Sequence, residues 1–233
     1  MATRCVKLAR ASRMRLTRLD ACGAPVPGPT GTLVTDGFIN VDGAPNYLDP
    51  EEITQLNANG DLCIDDQGRP ALRWIDLTVV MCNIDPDAVN IITGNPLVVN
   101  DATPTTDTVG FRLNGELTGT ASFAMELWSG VNGVPCDASG DKPYGYWLFP
   151  YIVQARLGEW SIANAALTLT MTARTSTGSG WGTGPNSYLV RGDAATGTPE
   201  KILTAIDDTD HLHFETVTVP PPAAACGATA LAA

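Results

Sequence analysis

Apolar and polar side chains alternate with a period of two in four stretches of this chain, as expected of strands that bury one face. Met14 and Leu16 alternate with Arg13, Arg15 and Thr17, and Ile75, Leu77 and Val79 with Asp76 and Thr78. Phe123, Met125 and Leu127 alternate with Ser122, Ala124 and Glu126, and Leu167, Leu169 and Met171 with Thr168, Thr170 and Thr172. Less regular segments predict further strands at 33–41, 62–64, 109–113, 145–153, 187–191 and 212–219. Asn59-Gly60 and Asn114-Gly115 are dipeptides that suit tight turns.

One short helix is written in its caps. Asp85 is an N-cap residue, Pro86 suits the first helical position, Asp87 favours the positive end of the dipole, and Gly94 closes the element. Asp49-Pro50-Glu51-Glu52 offers the same start, but Ile53 and Leu56 are too few apolar positions to hold a lone helix, so helix and strand both stay open there. Loops rich in Gly, Pro and Thr are expected at 24–32, 100–108, 175–186 and 191–199. Pro220-Pro221-Pro222 and the Ala-rich stretch after it read as an extended tail. The expected organisation is one β-domain over 1–222 and a flexible tail over 223–233.

Composition supports this pattern. Glycine and proline supply 40 of 233 residues and 44% of side chains are apolar, which favours a β-rich globular domain over a helical bundle. No segment approaches the roughly 20 apolar residues of a spanning helix, and the basic start never reaches the apolar core of a signal peptide, so neither membrane insertion nor export is expected. The net charge of −11 disfavours tight nucleic-acid binding. It is unevenly spread. Arg4, Lys7, Arg10, Arg13, Arg15 and Arg18 stand against Asp20 alone in the first twenty residues, giving +5, and the other 213 residues carry 8 bases and 24 acids, giving −16. The acidic body of this chain, or of an identical copy, is a natural partner for that head, and a solvated basic strand is the plain alternative.

Catalytic and ligand-binding patterns are sparse. The two histidines lie together in Asp210-His211-Leu212-His213, with no GxSxG or HExxH motif. On a strand, His211 and His213 point the same way and would hold a metal with Asp208 or Asp210, but a third clear ligand is lacking. Glu126 and Trp128 share a strand face, a pairing suited to a sugar, or simply the outer face of a strand packed on a neighbour. Gly178, Gly180, Gly182 and Gly184 around Trp181 lack the ending of a phosphate-binding loop. Asn57, Asn59, Asp61, Asp65 and Asp66 match a calcium loop only in composition. Cys5, Cys22, Cys63, Cys82, Cys136 and Cys226 are too scattered for zinc and read mostly as buried thiols, with three disulfides in 15 connectivities the oxidised alternative. No cofactor and no catalytic residue is expected.

Several phrases occur in a telling order: Arg18-Leu-Asp-Ala-Cys-Gly23, Thr35-Asp-Gly-Phe38, Asn57-Ala-Asn-Gly60, Cys82-Asn-Ile-Asp-Pro-Asp87, Ile92-Thr-Gly-Asn-Pro96, Glu126-Leu-Trp128, Trp181-Gly-Thr-Gly-Pro185 and Asp210-His-Leu-His213. In them the chain, over roughly 13–222, resembles the major tail proteins of long-tailed phages that infect actinobacteria; 1–12 and 191–205 are unassigned. The resemblance implies a mainly β tail-tube fold, a β-sandwich or half-barrel with one short flanking helix and long loops. It implies hexameric rings whose inner strands merge into one barrel, stacked into a conduit that genomic DNA crosses without specific binding. The implied partners are further copies of the chain, a tape-measure protein and a tail terminator. The implied location is the virion tail, assembled in the host cytoplasm.

On that reading the protein polymerises and conducts, with no turnover. A basic head opposite an acidic body is a heterologous contact that closes rings or propagates tubes. An acidic balance lets a polyanion slide. Arg13, Arg15 and Arg18 are the expected charged inter-subunit contacts, and Trp128, Trp147 and Trp181 the expected apolar anchors; a solvated strand face and the subunit's own core are the respective alternatives. Two rival functions remain: a phage head-decoration or head-to-tail joining protein, and an extracellular glycan-binding or glycan-cleaving β-sandwich.

Overall fold

The computed structural model describes residues 6–101, 103, 107–115, 121–133, 142–160 and 162–232. The fold is mainly β, as the alternation predicts. One antiparallel sheet of nine strands carries it, built from β1 (Lys7–Leu19), β2 (Gly28–Thr35), β3 (Phe38–Leu48), β6 (Ala71–Met81), β9 (Ser122–Asn132), β10 (Tyr144–Leu157), β11 (Leu169–Thr175), β14 (His213–Val217) and β15 (Thr229–Leu231). Three two-stranded ribbons complete the strands: β4 (Glu52–Leu56) with β5 (Leu62–Gln67), β7 (Leu97–Val99) with β8 (Thr108–Phe111), and β12 (Arg191–Gly192) with β13 (Pro199–Glu200). The helix, α1, spans Pro86–Thr93.

Strand β10 is the pivot. Its first half lies between β9 and β14, pairing Tyr146 with both Trp128 and Glu215, and its second half pairs with β11. Between the halves the β9 register slips from Phe149 to Ile152 with Pro150 in the gap, and within the second half the β11 register slips between Val153 and Arg156, where Gln154 takes a left-handed φ of 54°. Such irregularities bend a strand and increase its twist. The sheet therefore divides into two leaves, β15-β2-β1-β9-β10-β14 and β10-β11-β6-β3. Met14, Leu16, Phe123 and Met125 of the first leaf and Ile75, Leu77, Val79 and Met171 of the second share one core with Ala88, Ile91 and Ile92 of α1.

The helix forms where its caps predict. The Asp85 carboxylate accepts the Asp87 N–H at 2.9 Å, Pro86 opens the first turn, and Gly94, at φ 74°, donates its N–H to Asn90. The segment from Glu52 is a strand, with Asn59 and Gly60 in its hairpin turn. Strand β11 begins two residues after the expected start, and 33–41 is two strands parted by Asp36 and Gly37.

A second core lies on the other face of the first leaf. Ala124, Trp128, Tyr146, Leu148 and Leu19 are covered there by Trp181, Tyr188, Val190, Ile202 and Ile206, which come from the Gly- and Pro-rich segment between β11 and β14. That segment, expected as loops with a strand at 187–191, is a covering layer with little regular structure. The tail expected to be free is also docked, since β15 pairs with β2 and Leu231 is buried.

Candidate interface surfaces

The six expected contact residues have different fates, set by which face of the first leaf each occupies. Arg15 points into the second core and is 7% exposed. Its Nε and Nη2 donate to the two oxygens of Glu126, which is 0% exposed, across the β1–β9 register that places them opposite each other. The Tyr146 hydroxyl donates to the same carboxylate at 2.6 Å. The Arg15 guanidinium lies 3.3 Å from the Tyr188 ring centroid and 5.2 Å from that of Trp128. Tyr188 is tied down in turn, its hydroxyl bonding Thr17 at 2.8 Å and Thr32 at 2.9 Å. Burial opposes the Arg15 charge, yet Glu126 holds the guanidinium pKa above its ordinary value. Burial, with the Glu126 charge acting the same way, raises Tyr146 well above 10 and raises Tyr188 as well.

Arg15 and Glu126 thus satisfy each other inside one chain, which corrects two readings. Arg15 is not a surface contact, and Glu126 offers no carboxylate to a sugar. Trp128 and Trp181 are likewise interior, at 1% and 4% exposure, packed with tilted rings against Tyr146 and Tyr188 respectively. They are core residues and not surface anchors.

The other three stay nearer the surface. Arg13 pairs with the exposed Asp36 at 3.3 Å. Arg18 is half-buried and donates to Asn90 Oδ1 at 2.8 Å; burial lowers its pKa, with Asp87 opposing. Trp147 is half-buried on Phe214, centroids 4.5 Å apart, and lines an apolar groove of about 360 Å³ with Phe38, Ile39, Pro45 and Phe149. Lys7 and Arg10, at the start of β1, are exposed.

The histidines do not converge. His211 is buried and its Nδ1 lies 2.7 Å from the Thr175 hydroxyl, which already accepts the Ile75 N–H, whereas His213 faces Glu215 at 3.8 Å. Among the described residues no cluster of three His, Cys, Asp or Glu side chains is arranged for a metal. Asn57 turns its oxygen onto the N–H groups of Asn59 and Asp61 in the β4–β5 turn. The expectation of buried thiols fails at Cys22, Cys63, Cys82 and Cys226, all free and exposed; Cys5 and Cys136 lie outside the described residues. No described helix is long and apolar enough to cross a membrane.

The most unusual surface is one the strand pattern hid. The ends of β3 and β6 and the whole β4–β5 ribbon form an arm whose residues are nearly all exposed. It bares Tyr47, Leu48, Ile53, Leu56, Leu62, Ile64 and Leu72, the first six at 48–58%. The same stretch, 46–73, holds six acids, Asp49, Glu51, Glu52, Asp61, Asp65 and Asp66, against two bases, Arg69 and Arg73. Apolar residues in both ribbon strands, flanked by acids and with no core within reach, were the available signal for it.

The sheet also has open edges. Among the described residues β3 pairs on one side only, with β6. At the far side of the same leaf, β10 beyond Ile152 pairs, among the described residues, only with β11. No protein-family model matches the chain, and no curated protein matches its sequence.

Proposed function

We propose that this protein is a structural subunit that assembles with its own copies into stacked rings forming a phage tail tube, the conduit for genome ejection. The apolar, acidic arm carries this reading, because a soluble monomer rarely keeps so large an apolar surface in water. The arm projects from the subunit and suits a reach to a neighbouring copy. The basic start of β1, with Lys7 and Arg10 exposed and Arg13 only loosely paired, supplies a complementary charge.

The open edges support closure into a ring. An edge strand is a template for pairing, and β3 and the 153–157 stretch of β10 lie on opposite sides of one four-stranded leaf. Joining one copy's β3 to the next copy's β10 is a heterologous contact that closes if the rotation allows. Among the described residues, the leaf's outward face has no covering layer. It presents Thr78, Thr170 and Thr172, with Asp42 and Asp76 balanced by Arg156 and Arg174. A neutral hydroxyl-rich lining suits a channel that duplex DNA crosses without being held.

Sedimentation velocity and negative-stain microscopy at rising concentration test the proposal. Hollow cylinders are expected, and their loss when Lys7, Arg10 and Arg13 are all replaced by Glu. Caps, flat lattices or capsid binding without cylinders would favour a head-decoration or joining protein instead.

A further inference from the structure

The β15 segment is held by groups that a second copy of the chain also carries. After β14 the chain crosses toward β2 through Thr218–Ala224, and no backbone hydrogen bond anchors this stretch among the described residues. Anchoring begins at Ala225, whose N–H donates to the Val34 carbonyl at 3.1 Å. The Gly227 N–H then donates to Asp85 Oδ2 at 2.7 Å and the Ala228 N–H to Asp87 Oδ2 at 2.9 Å. Thr229 pairs with Thr32, and Leu231 with Gly28. Leu231 is buried over Gly31, where a Cβ would stand 2.7 Å from its own. The acceptor is therefore a built site comprising one strand edge, two carboxylates that already define the start of α1, and a notch that only glycine leaves open.

The link into this site is stiff. Pro220, Pro221 and Pro222 hold an extended path of about 3.1 Å per residue. Such a path projects a strand away from its own body as readily as it returns one, and an exchanged strand remakes the same contacts in a neighbour. We infer that the groove between β2 and the Asp85/Asp87 carboxylates is an acceptor for the 225–231 segment of a second copy, so that assembled subunits exchange their β15 strands. The inference is independent of the tube reading, because it stands on the seated strand and its link.

Two full-length variants separate donor from acceptor. Leu231→Asp spoils the strand and keeps the groove; Asp85→Asn with Asp87→Asn weakens the groove, keeps the strand, and leaves an N-cap side chain in place. Native mass spectrometry of the two mixed, one carrying ¹⁵N, is expected to show a one-to-one mixed complex at least tenfold above either homodimer. A fluorescent peptide of residues 224–232 is expected to bind the Leu231→Asp chain at least tenfold more tightly than the doubly substituted chain. Circular dichroism checks folding, and Leu231→Ala replaces Leu231→Asp if the latter loses the wild-type spectrum. Separate species in the mixture, or no preference of the peptide, would overturn the exchange. If microscopy still shows cylinders in that case, the exchange alone fails.

Discussion

Replacing Arg15 with Met should destabilise the subunit more than any surface change at the same end of β1. The methionine fills most of the space, but it leaves the fully buried Glu126 with only the Tyr146 hydroxyl as a partner. Removing one member of a buried ion pair costs about 3–5 kcal/mol, because the remaining charge has lost its water and now also its counterion. With a urea dependence of about 2–3 kcal/mol per molar, the midpoint should fall by roughly 1–2.5 M. Replacing Glu126 with Gln as well removes the stranded charge, so the double variant should recover most of the loss, a coupling far outside additivity. Arg13→Ala provides the contrast: its bridge to the exposed Asp36 is worth about 0–1 kcal/mol. Tryptophan fluorescence is a suitable readout, since Trp128 lies 5.2 Å from the guanidinium. A midpoint shift below about 0.5 M for Arg15→Met, or simple additivity in the double variant, would refute the buried pair as the anchor of the second core.

Three further outcomes are expected. Burial lowers the His211 pKa below 6.5, so the unfolded chain takes up this proton more readily; this contribution to stability is complete above about pH 6.5 and is lost as pH falls below it. A histidine NMR titration checks the shift, and urea midpoints of His211→Gln between about pH 5 and 7 should lose the corresponding slope. Asp85→Ala removes both the N-cap and the Gly227 contact and should cost about 1–2 kcal/mol, with faster amide exchange at Thr229 and Leu231; unchanged exchange there would separate the tail from the cap. Replacing Leu56 and Leu62 with Ser should leave the unfolding free energy from urea titration within about 0.5 kcal/mol of wild type while abolishing assembly, and assembly at the wild-type rate would remove the arm from the interface.

Local chemistry made the strands and the helix legible. The alternation at Met14 and Leu16 or at Ile75, Leu77 and Val79 reports one apolar face, and Asp85, Pro86 and Gly94 mark both helix ends without help from the rest of the fold. What alternation does not report is the fate of the opposite face. Arg15, Glu126 and Trp128 look like a wet surface because their neighbours in sequence are the core residues. They are buried by Trp181, Tyr188 and Ile206, from a segment whose glycines and prolines suppress any period. The docked tail is hidden in the sequence for a related reason: Leu231 is one apolar residue among alanines, and its anchors, Val34, Asp85 and Asp87, lie more than a hundred residues earlier. The arm is hard to read in the sequence because Ile53, Leu56, Leu62 and Ile64 mark two short strands without showing that these project from the body.

In the proposed tube, copies of this chain join edge to edge around a hollow centre. Cryo-electron microscopy of the assembled protein measures this directly. The account predicts rings in which β3 of each subunit lies beside the 153–157 stretch of the next, with Thr78, Thr170 and Thr172 facing an open lumen. Assemblies in which those two edges stay apart, or in which the threonine face is packed against protein, would contradict it.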